Sequence, residues 1–415
     1  MPDPLARLDD ALPRPAADRT ERLDRVLIAG AGPTGLTAAL ALARAGVPVT
    51  VIEKGTGLNP ESRASTFHPP TLELLDELGV TERIIAAGLH APRTQFRDRT
   101  TGPVATFDLG TLADETSFPF RIQLEQNKAA AILLAELTSG RWDAEVRFAT
   151  RVHAVIGQSD TGVSVLVGTA DEFVELTAPW VVAADGTHSP LRRSLGIDLL
   201  GETYPEEFLV VSVAEELTEH LGDLEYVNYV ADPEQWLVLL RTPDHWRVLL
   251  PVGGKLAESS TDAGVQSLLR GVIDLGRDWK VLQWSQYVVS RCVADRMRDG
   301  RVLLAGDAAH QNSPLGGMGM NSGIQDAVSA ARRLASVWHG DADESVLDGY
   351  DSARRRVATE YVQADSHANW LVLREPDPDK RAELQADLRA VAADPERHRQ
   401  RMRRTAMLDA VRDSL

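Results

Sequence analysis

Three acidic residues stand where apolar runs stop: Glu53 after Val49–Ile52, Asp185 after the run that begins at Trp180, and Asp307 after Val302–Ala305. Each run is short and continuously apolar, the mark of a parallel strand covered on both faces. A carboxylate at the carboxyl end of such a strand lies where open α/β sheets hold their ligands, and it accepts hydrogen bonds from hydroxyl groups. An Asp-Gly pair such as Asp185-Gly186 alone marks only a turn. Three acidic strand ends in one chain point instead to a shared pocket. Gly306 closes the third strand, and beyond Asp307 come Pro314, Gly316, Gly317 and Gly319, a loop bare enough for backbone to approach a flat ligand. A helical pattern begins near Met320, so its unpaired N–H groups and positive dipole end face the same place.

A carboxylate for hydroxyls, a bare loop and a helix terminus suited to delocalised negative charge are together what a reduced flavin requires. The elements that must position them can be read from the start of the chain. Arg25–Gly30 is a strand, GAGPTG follows over Gly30–Gly35, Leu36–Ala45 is a helix rich in alanine and leucine, and Val49–Ile52 is the second strand. This is the dinucleotide fingerprint in its required context. Gly30 makes the turn, Gly32 admits a pyrophosphate, Gly35 lets the helix sit on the sheet, and Glu53 accepts from ribose hydroxyls, disfavouring a 2′-phosphate.

Other segments leave two readings open. Arg63, ahead of a helix carrying Leu72, Leu75 and Leu78, reaches a phosphate or ribityl chain or is a surface loop arginine. His68 precedes Pro69 and Pro70 and reads as a solvated loop histidine. Gln126 opens a helix running to Leu137, and either binds a ligand or is exposed. Glu145–Val167 alternates as a meander of half-exposed strands. Residues 196–291 read as an antiparallel meander over Leu224–Val230, Gln235–Arg241 and Trp246–Val252, without a phosphate-binding signature. Its aromatics Tyr226, Tyr229, Trp236 and Trp246 read as sheet core, and His245 as an exposed turn residue. The arginines of Arg389–Arg404 read as a solvated face.

Composition narrows the class. The 415 residues carry a formal charge of −17, which argues against a nucleic-acid partner. The single cysteine, Cys292, leaves no intramolecular disulfide, makes a cysteine metal site implausible, and reads as a reduced core thiol; no metal is expected. No apolar run reaches the roughly 18 residues of a membrane span, and Met1–Arg22 has no signal-peptide core. A cytoplasmic protein is expected. The chain divides into a poorly ordered extension (1–22), the first part of a nucleotide-binding domain (23–195), an inserted substrate domain (196–292), the second part (293–340) and C-terminal helices (341–415).

GAGPTG with Glu53, SRASTFHPPTLELLDELG, AADGTHSPLRR and AGDAAHQNSPLGGMGMNSGIQDA occur in an order that resembles the single-component, FAD-dependent aromatic hydroxylases of the para-hydroxybenzoate hydroxylase fold. The resemblance spans about Arg25 to Leu334. It implies an α/β fold: a Rossmann-like FAD-binding domain, an inserted antiparallel-sheet substrate domain and a C-terminal helical segment. It implies that Gly30, Gly32, Pro33, Gly35, Glu53 and Lys54 hold the ADP half of FAD. Arg63 and Gln126 would contact phosphates and ribityl, Gly306 and Asp307 the ribityl, and Pro314, Gly317, Gly319, Met320 and Asn321 would line the isoalloxazine. Asp185 and Gly186 would lie where FAD meets a transiently bound NAD(P)H. Two departures stand out: Gln126 is followed by Asn127 and Lys128 where the family more often has Leu-Glu, and the chain stops too soon for a thioredoxin-like third domain.

The activity so implied is hydroxylation of an aromatic or heteroaromatic small molecule with NAD(P)H and O2 through a flavin hydroperoxide. His68, His245, Tyr226 and Tyr229 are the candidates for a base, and none stands out; His310 reads as structural. Two alternatives remain. One is epoxidation, N-hydroxylation or dehydrogenation on the same scaffold. The other is a non-catalytic binding protein of this fold, as in GDP-dissociation inhibitors. Substrate, choice of nicotinamide nucleotide and oligomeric state stay open.

Overall fold

The computed structural model describes residues 20–61, 64–168, 172–252, 261–412 and 414. Arg63 and most of the expected N-terminal extension lie outside the described residues. The apolar runs do form one sheet, in the order Arg298–Asp299, Val302–Leu304, Val181–Ala183, Val26–Ala29, Val49–Ile52 and Ala144–Arg147. All neighbours are parallel except the first pair. Every residue of the four central strands is buried, which is why they read as unbroken apolar runs.

Two expectations about the sheets' margins need correction. Ala144–Arg147 does not open the antiparallel meander but pairs in parallel beside Val49–Ile52. The meander proper is Arg151–Ser159, Gly162–Gly168 and Phe173–Ala178, and its valines pack into the same core as the parallel sheet. Thr20–Arg22, expected to belong to a poorly ordered extension, is an edge strand on Phe173–Ala178. Its Glu21 takes both ends of the Arg147 guanidinium at 2.7 and 2.9 Å.

A second, eight-stranded sheet has the order His310–Gln311, Val281–Ala294, Leu199–Val213, Trp246–Pro251, Leu237–Arg241, Val227–Ala231, Arg93–Asp98 and Gly102–Asp108. The division at residue 196 therefore fails for residues 93–108, which join this sheet through a parallel pairing of Arg93–Asp98 with Val227–Ala231. A pairing over more than a hundred residues leaves no local pattern to read. Both faces are covered. Phe208, Val210, Val238 and Leu249 enter one core while Leu209, Val211, Leu239 and Val248 enter another, the two-residue period of a strand. The second core is closed by Val265 and Leu269 of the Asp262–Val272 helix.

The first core is closed by the C-terminal helices Ala364–Arg374, Pro378–Ala393, Pro395–Thr405 and Leu408–Arg412. The arginines there are not simply a solvated face. Arg399 pairs with Asp114 and Glu115, Arg403 and Arg412 with Glu115, and Arg404 with Asp365, fastening the helices down. Cys292 is also not a core thiol: it is half-buried on the long Val281–Ala294 strand. No helix among the described residues is long and apolar enough to cross a membrane.

Candidate functional site

Sheet register brings the acidic strand ends together. Ala183 is level with Ala29 and Leu304, and Ala29 with Ile52, so Gly30, Glu53, Asp185 and Gly306 emerge side by side at one edge. The turn at Gly30 has φ +101°, and a Cβ there would meet the Ala184 carbonyl oxygen at 2.4 Å. Gly32 opens the Pro33–Arg44 helix with no side-chain cap and with free space where a side chain would stand. The first-turn N–H groups are thus left for an anion, as a pyrophosphate requires. Pro33, at the first helical position, removes one donor that would otherwise go unpaired.

Glu53 accepts from Ala31 N–H and Gly55 N–H, each at 2.9 Å, so its carboxylate is aimed before any hydroxyl arrives. Lys54 beside it is exposed. Asp307 lies in a short turn, Gly306–Ala308, and is exposed toward Thr187, whose hydroxyl donates to it at 3.4 Å. Asp185 is turned differently. One oxygen accepts Leu191 N–H at 3.2 Å at the start of the Pro190–Ser194 helix, and the other is buried without a partner. Burial pushes this carboxyl up. Gly186 beside it has φ +84° and open space at its Cβ position. Gln126 is tied to Ala64, donating its N–H at 3.0 Å and accepting at its side chain at 3.3 Å.

The glycine loop leads into the Gly319–His339 helix, which has no side-chain cap. Asn321, expected to line the isoalloxazine, has its carboxamide engaged elsewhere. It accepts His68 N–H at 2.9 Å and donates to the Thr66 and Gly317 carbonyls at 2.7 Å each, stapling the loop to residues 66–68. Met320 packs on the main core and Pro314 is half-buried. A network that the sequence reading missed lies beneath the loop. Asp326 accepts from Gly306 N–H at 3.0 Å, from His310 at 2.7 Å and from Arg354 at 2.6 Å, all fully or nearly fully buried. Burial opposes its ionisation, but Arg354 and His310 outweigh that and hold the carboxyl at about 2.

His68 is corrected most strongly: it is completely buried, capping the helix that its two prolines begin. Its Nε2 lies 2.9 Å from the Gly316 carbonyl, which can only accept, so Nε2 carries the hydrogen. Burial first, then the Arg121 charge, hold His68 well below the usual histidine range. His68 is therefore expected to be neutral at pH 6.5, where an ordinary histidine is half protonated, seen by NMR as an imidazole shift that does not change between pH 6.5 and 8. The depressed value adds stability that is complete above the unfolded value near 6.5 and declines as pH falls below it.

His245 is half-buried, not exposed, 3.7 Å from Glu125 in a cavity of about 250 Å³ shared with Lys128, Asp244 and Arg247. Tyr226 is 39% exposed. Tyr229, like His68, reaches the glycine loop, its hydroxyl accepting Gly316 N–H at 3.0 Å. It lines a second cavity with Phe96, Phe107, Arg121, Met318 and Arg401. The space is about 20 Å³, near one water molecule, and its lining includes the unbranched Met318 and Met402 side chains. Trp236 and Trp246 are sheet core, as expected. Arg121, set between Phe120 and Ile122, is the only local hint of this cavity.

Residues 24–365 match the family model described as an FAD binding domain. The chain is 30% identical to para-nitrophenol 4-monooxygenase of a Pseudomonas species over 87% of its own length and 90% of that protein's. It is 31% identical to 6-hydroxy-3-succinoylpyridine 3-monooxygenase of Pseudomonas putida, over 83% of this chain and 88% of the other. The crystal structure of a p-nitrophenol 4-monooxygenase from Pseudomonas putida superposes with a TM-score of 0.90 at 28% identity, covering 95% of this chain and all of that one.

Proposed function

Because this chain belongs to the single-component FAD-dependent aromatic hydroxylases, we propose that it adds one oxygen atom to an aromatic or heteroaromatic small molecule, using NAD(P)H and O2. One observation carries the reading. The cavity lined by Phe96, Phe107 and Tyr229 abuts Gly316 and Met318, the loop that leads into the uncapped helix of the cofactor crevice. The crevice suits FAD: uncapped N–H groups at Gly32, a pre-aimed Glu53, an exposed Asp307 and free space at Gly32 and Gly186.

The chemistry supplied by bound FAD is uptake of a hydride from NAD(P)H and activation of O2, one oxygen going to the ring and one to water. The chain's residues bind and orient. Glu53 and Asp307 would hold hydroxyls, the first turn at Pro33 the pyrophosphate, and the dipole of the Gly319–His339 helix would favour negative charge. Phe96, Tyr229 and Phe107 would present an apolar aromatic wall to the substrate and exclude water. Neutral His68 fixes the Gly316 carbonyl and so the shape of the loop. Dependence on NAD(P)H and FAD, which are drawn from pools inside the cell, supports a cytoplasmic location.

The test is a yellow purified protein whose NAD(P)H consumption is stimulated by phenols or hydroxypyridines, with a product heavier by one oxygen. Loss of two hydrogens would favour dehydrogenation instead, and a colourless protein that takes up no FAD would favour the non-catalytic reading. Asp307→Ala is expected to weaken FAD binding about tenfold, as loss of one charged hydrogen bond should. Flavin content after dialysis measures it, and an unchanged content removes Asp307 from the cofactor site.

A further inference from the structure

The cavity beside Gly316 measures about 20 Å³, room for one water molecule, so no ring enters it unless part of the lining moves. Most of that lining is fixed. Phe96, Phe107 and Tyr229 stand on strands of the eight-stranded sheet, and Arg121 on a strand paired on both sides. Gly316 and Met318 belong to the loop that His68 and Asn321 hold. Asn369 lies on Ala364–Arg374, the end of one unbroken helical run that begins at Val346. What remains is the Pro395–Thr405 helix, which closes the cavity with Arg401, Met402 and Thr405.

This helix is seated by charge rather than by apolar packing. Met402 is buried, and the rest of the helix is half-buried or exposed. Arg399 pairs with Asp114 and Glu115, Arg403 with Glu115 at 3.3 Å, and Arg404 with Asp365 at 2.7 Å. Arg412, just past the helix, brings a third arginine to Glu115 at 3.0 Å. These guanidiniums are between 28% and 49% exposed, so salt screens each pair and none holds strongly alone. Arg401 lies over Phe96 and Phe107 at 5.2 and 4.7 Å, so the helix carries the cover of those rings with it. At one end Asp394 and Pro395 break it from the helix before. Just past the other end Met407 takes φ +65°, which is costly for a residue with a side chain.

We infer that the Pro395–Thr405 helix is a lid, lifting off Phe96 and Phe107 as its pairs with Asp114, Glu115 and Asp365 part, and that aromatic molecules reach the glycine loop by this route. What enters rests on the hydroxylase reading; the motion does not. An element with little buried apolar surface and screened attachments is the one that opens locally at low cost. A lid held by charge opens more often as salt rises, whereas one held by apolar contacts does not.

Two measurements on the full-length protein with FAD added test it. In hydrogen exchange read by mass spectrometry, amides of residues 396–405 should exchange about three- to tenfold faster in ~500 than in ~50 mM NaCl, while those of the Gly319–His339 helix do not change. Glu115→Gln, which strips three arginines of their shared partner, should give a similar rise at low salt with flavin content unchanged. Thr94→Cys probes the cavity wall at a position 4% exposed, in a Cys292→Ser background. Its thiol should react with uncharged 4,4′-dithiodipyridine at a rate that follows the same two changes, measured against a free thiol.

Exchange in 396–405 that neither salt nor Glu115→Gln alters overturns the lid, and the salt comparison needs no variant to fold. A rise shared equally by Gly319–His339 is general loosening and overturns it too. So does a Thr94→Cys thiol that stays unreactive or reacts at a rate indifferent to both changes, because the cavity then opens elsewhere or not at all. A lid that opens while no phenol or hydroxypyridine stimulates NAD(P)H consumption leaves the motion standing and removes the hydroxylase reading.

Discussion

Arg354→Met will cost the fold about 3–5 kcal/mol and much of its flavin. Arg354 is fully buried and has no route to water. Its Nε donates to Asp326 at 2.6 Å, Nη1 to the Ser414 hydroxyl at 2.8 Å and Nη2 to the Ser322 hydroxyl at 3.1 Å. Methionine matches the bulk but leaves Asp326 buried with His310 and Gly306 N–H alone. Breaking one side of a buried pair is far worse than replacing both, because the orphaned carboxylate bears its full desolvation penalty. The same carboxylate holds Gly306 N–H at the turn that presents Asp307, so the damage reaches the cofactor crevice.

The pH dependence gives the check its sign. Asp326 is held at about 2, below the usual 3.8, so in the wild type its contribution is complete above about pH 4 and is lost as pH falls toward 2. Without Arg354, burial drives the carboxyl above its unfolded value and the sign inverts: the variant loses stability as pH rises through that raised value and recovers part of it at low pH, where the carboxyl is protonated. Urea midpoints at neutral pH and near pH 4 should show a large loss at the first and a smaller one at the second. Equal losses at both would show that Asp326 is not the group left exposed to the change.

The second large effect is expected from Gly35→Ala. A Cβ at Gly35 would stand 2.0 Å from the Gly30 carbonyl oxygen and 3.1 Å from its carbon. These are backbone atoms of the fingerprint turn, and Gly30 is itself pinned against the Ala184 carbonyl. The helix must therefore lift off the sheet, which costs about 3 kcal/mol or more. Lifting displaces the first-turn N–H groups from the pyrophosphate position, so the variant should purify without flavin and melt several degrees lower. Gly32→Ala meets nothing within 4 Å in the protein, so it should keep its stability and lose only cofactor affinity. A thermal shift equal for the two would contradict the packing account.

How much of the site could be read beforehand divides by the range of the interaction. Gly30, Gly32 and Gly35 act within a few residues of one another, and the acidic strand ends are marked by the apolar runs they close. What could not be read was direction. Asp185 looks like Glu53 in the sequence, yet it turns to cap its own short helix. Asn321 reads in the sequence only as a ligand contact, and its carboxamide proves to staple the glycine loop to residues 66–68. His68 looked solvated because prolines follow it, yet those prolines start the helix that buries it.

The sequence by itself determined the parallel sheet, the nucleotide turn and the presence of a flavin crevice, because strand burial and glycine turns write their requirements into consecutive residues. Tertiary structure alone decided the other half. It joined residues 93–108 to a sheet more than a hundred residues away, laid Arg401 over Phe96 and Phe107, and left Arg121 without a counter-charge. Those facts depend on desolvation and on contacts across the fold, and neither leaves a period or spacing along the chain.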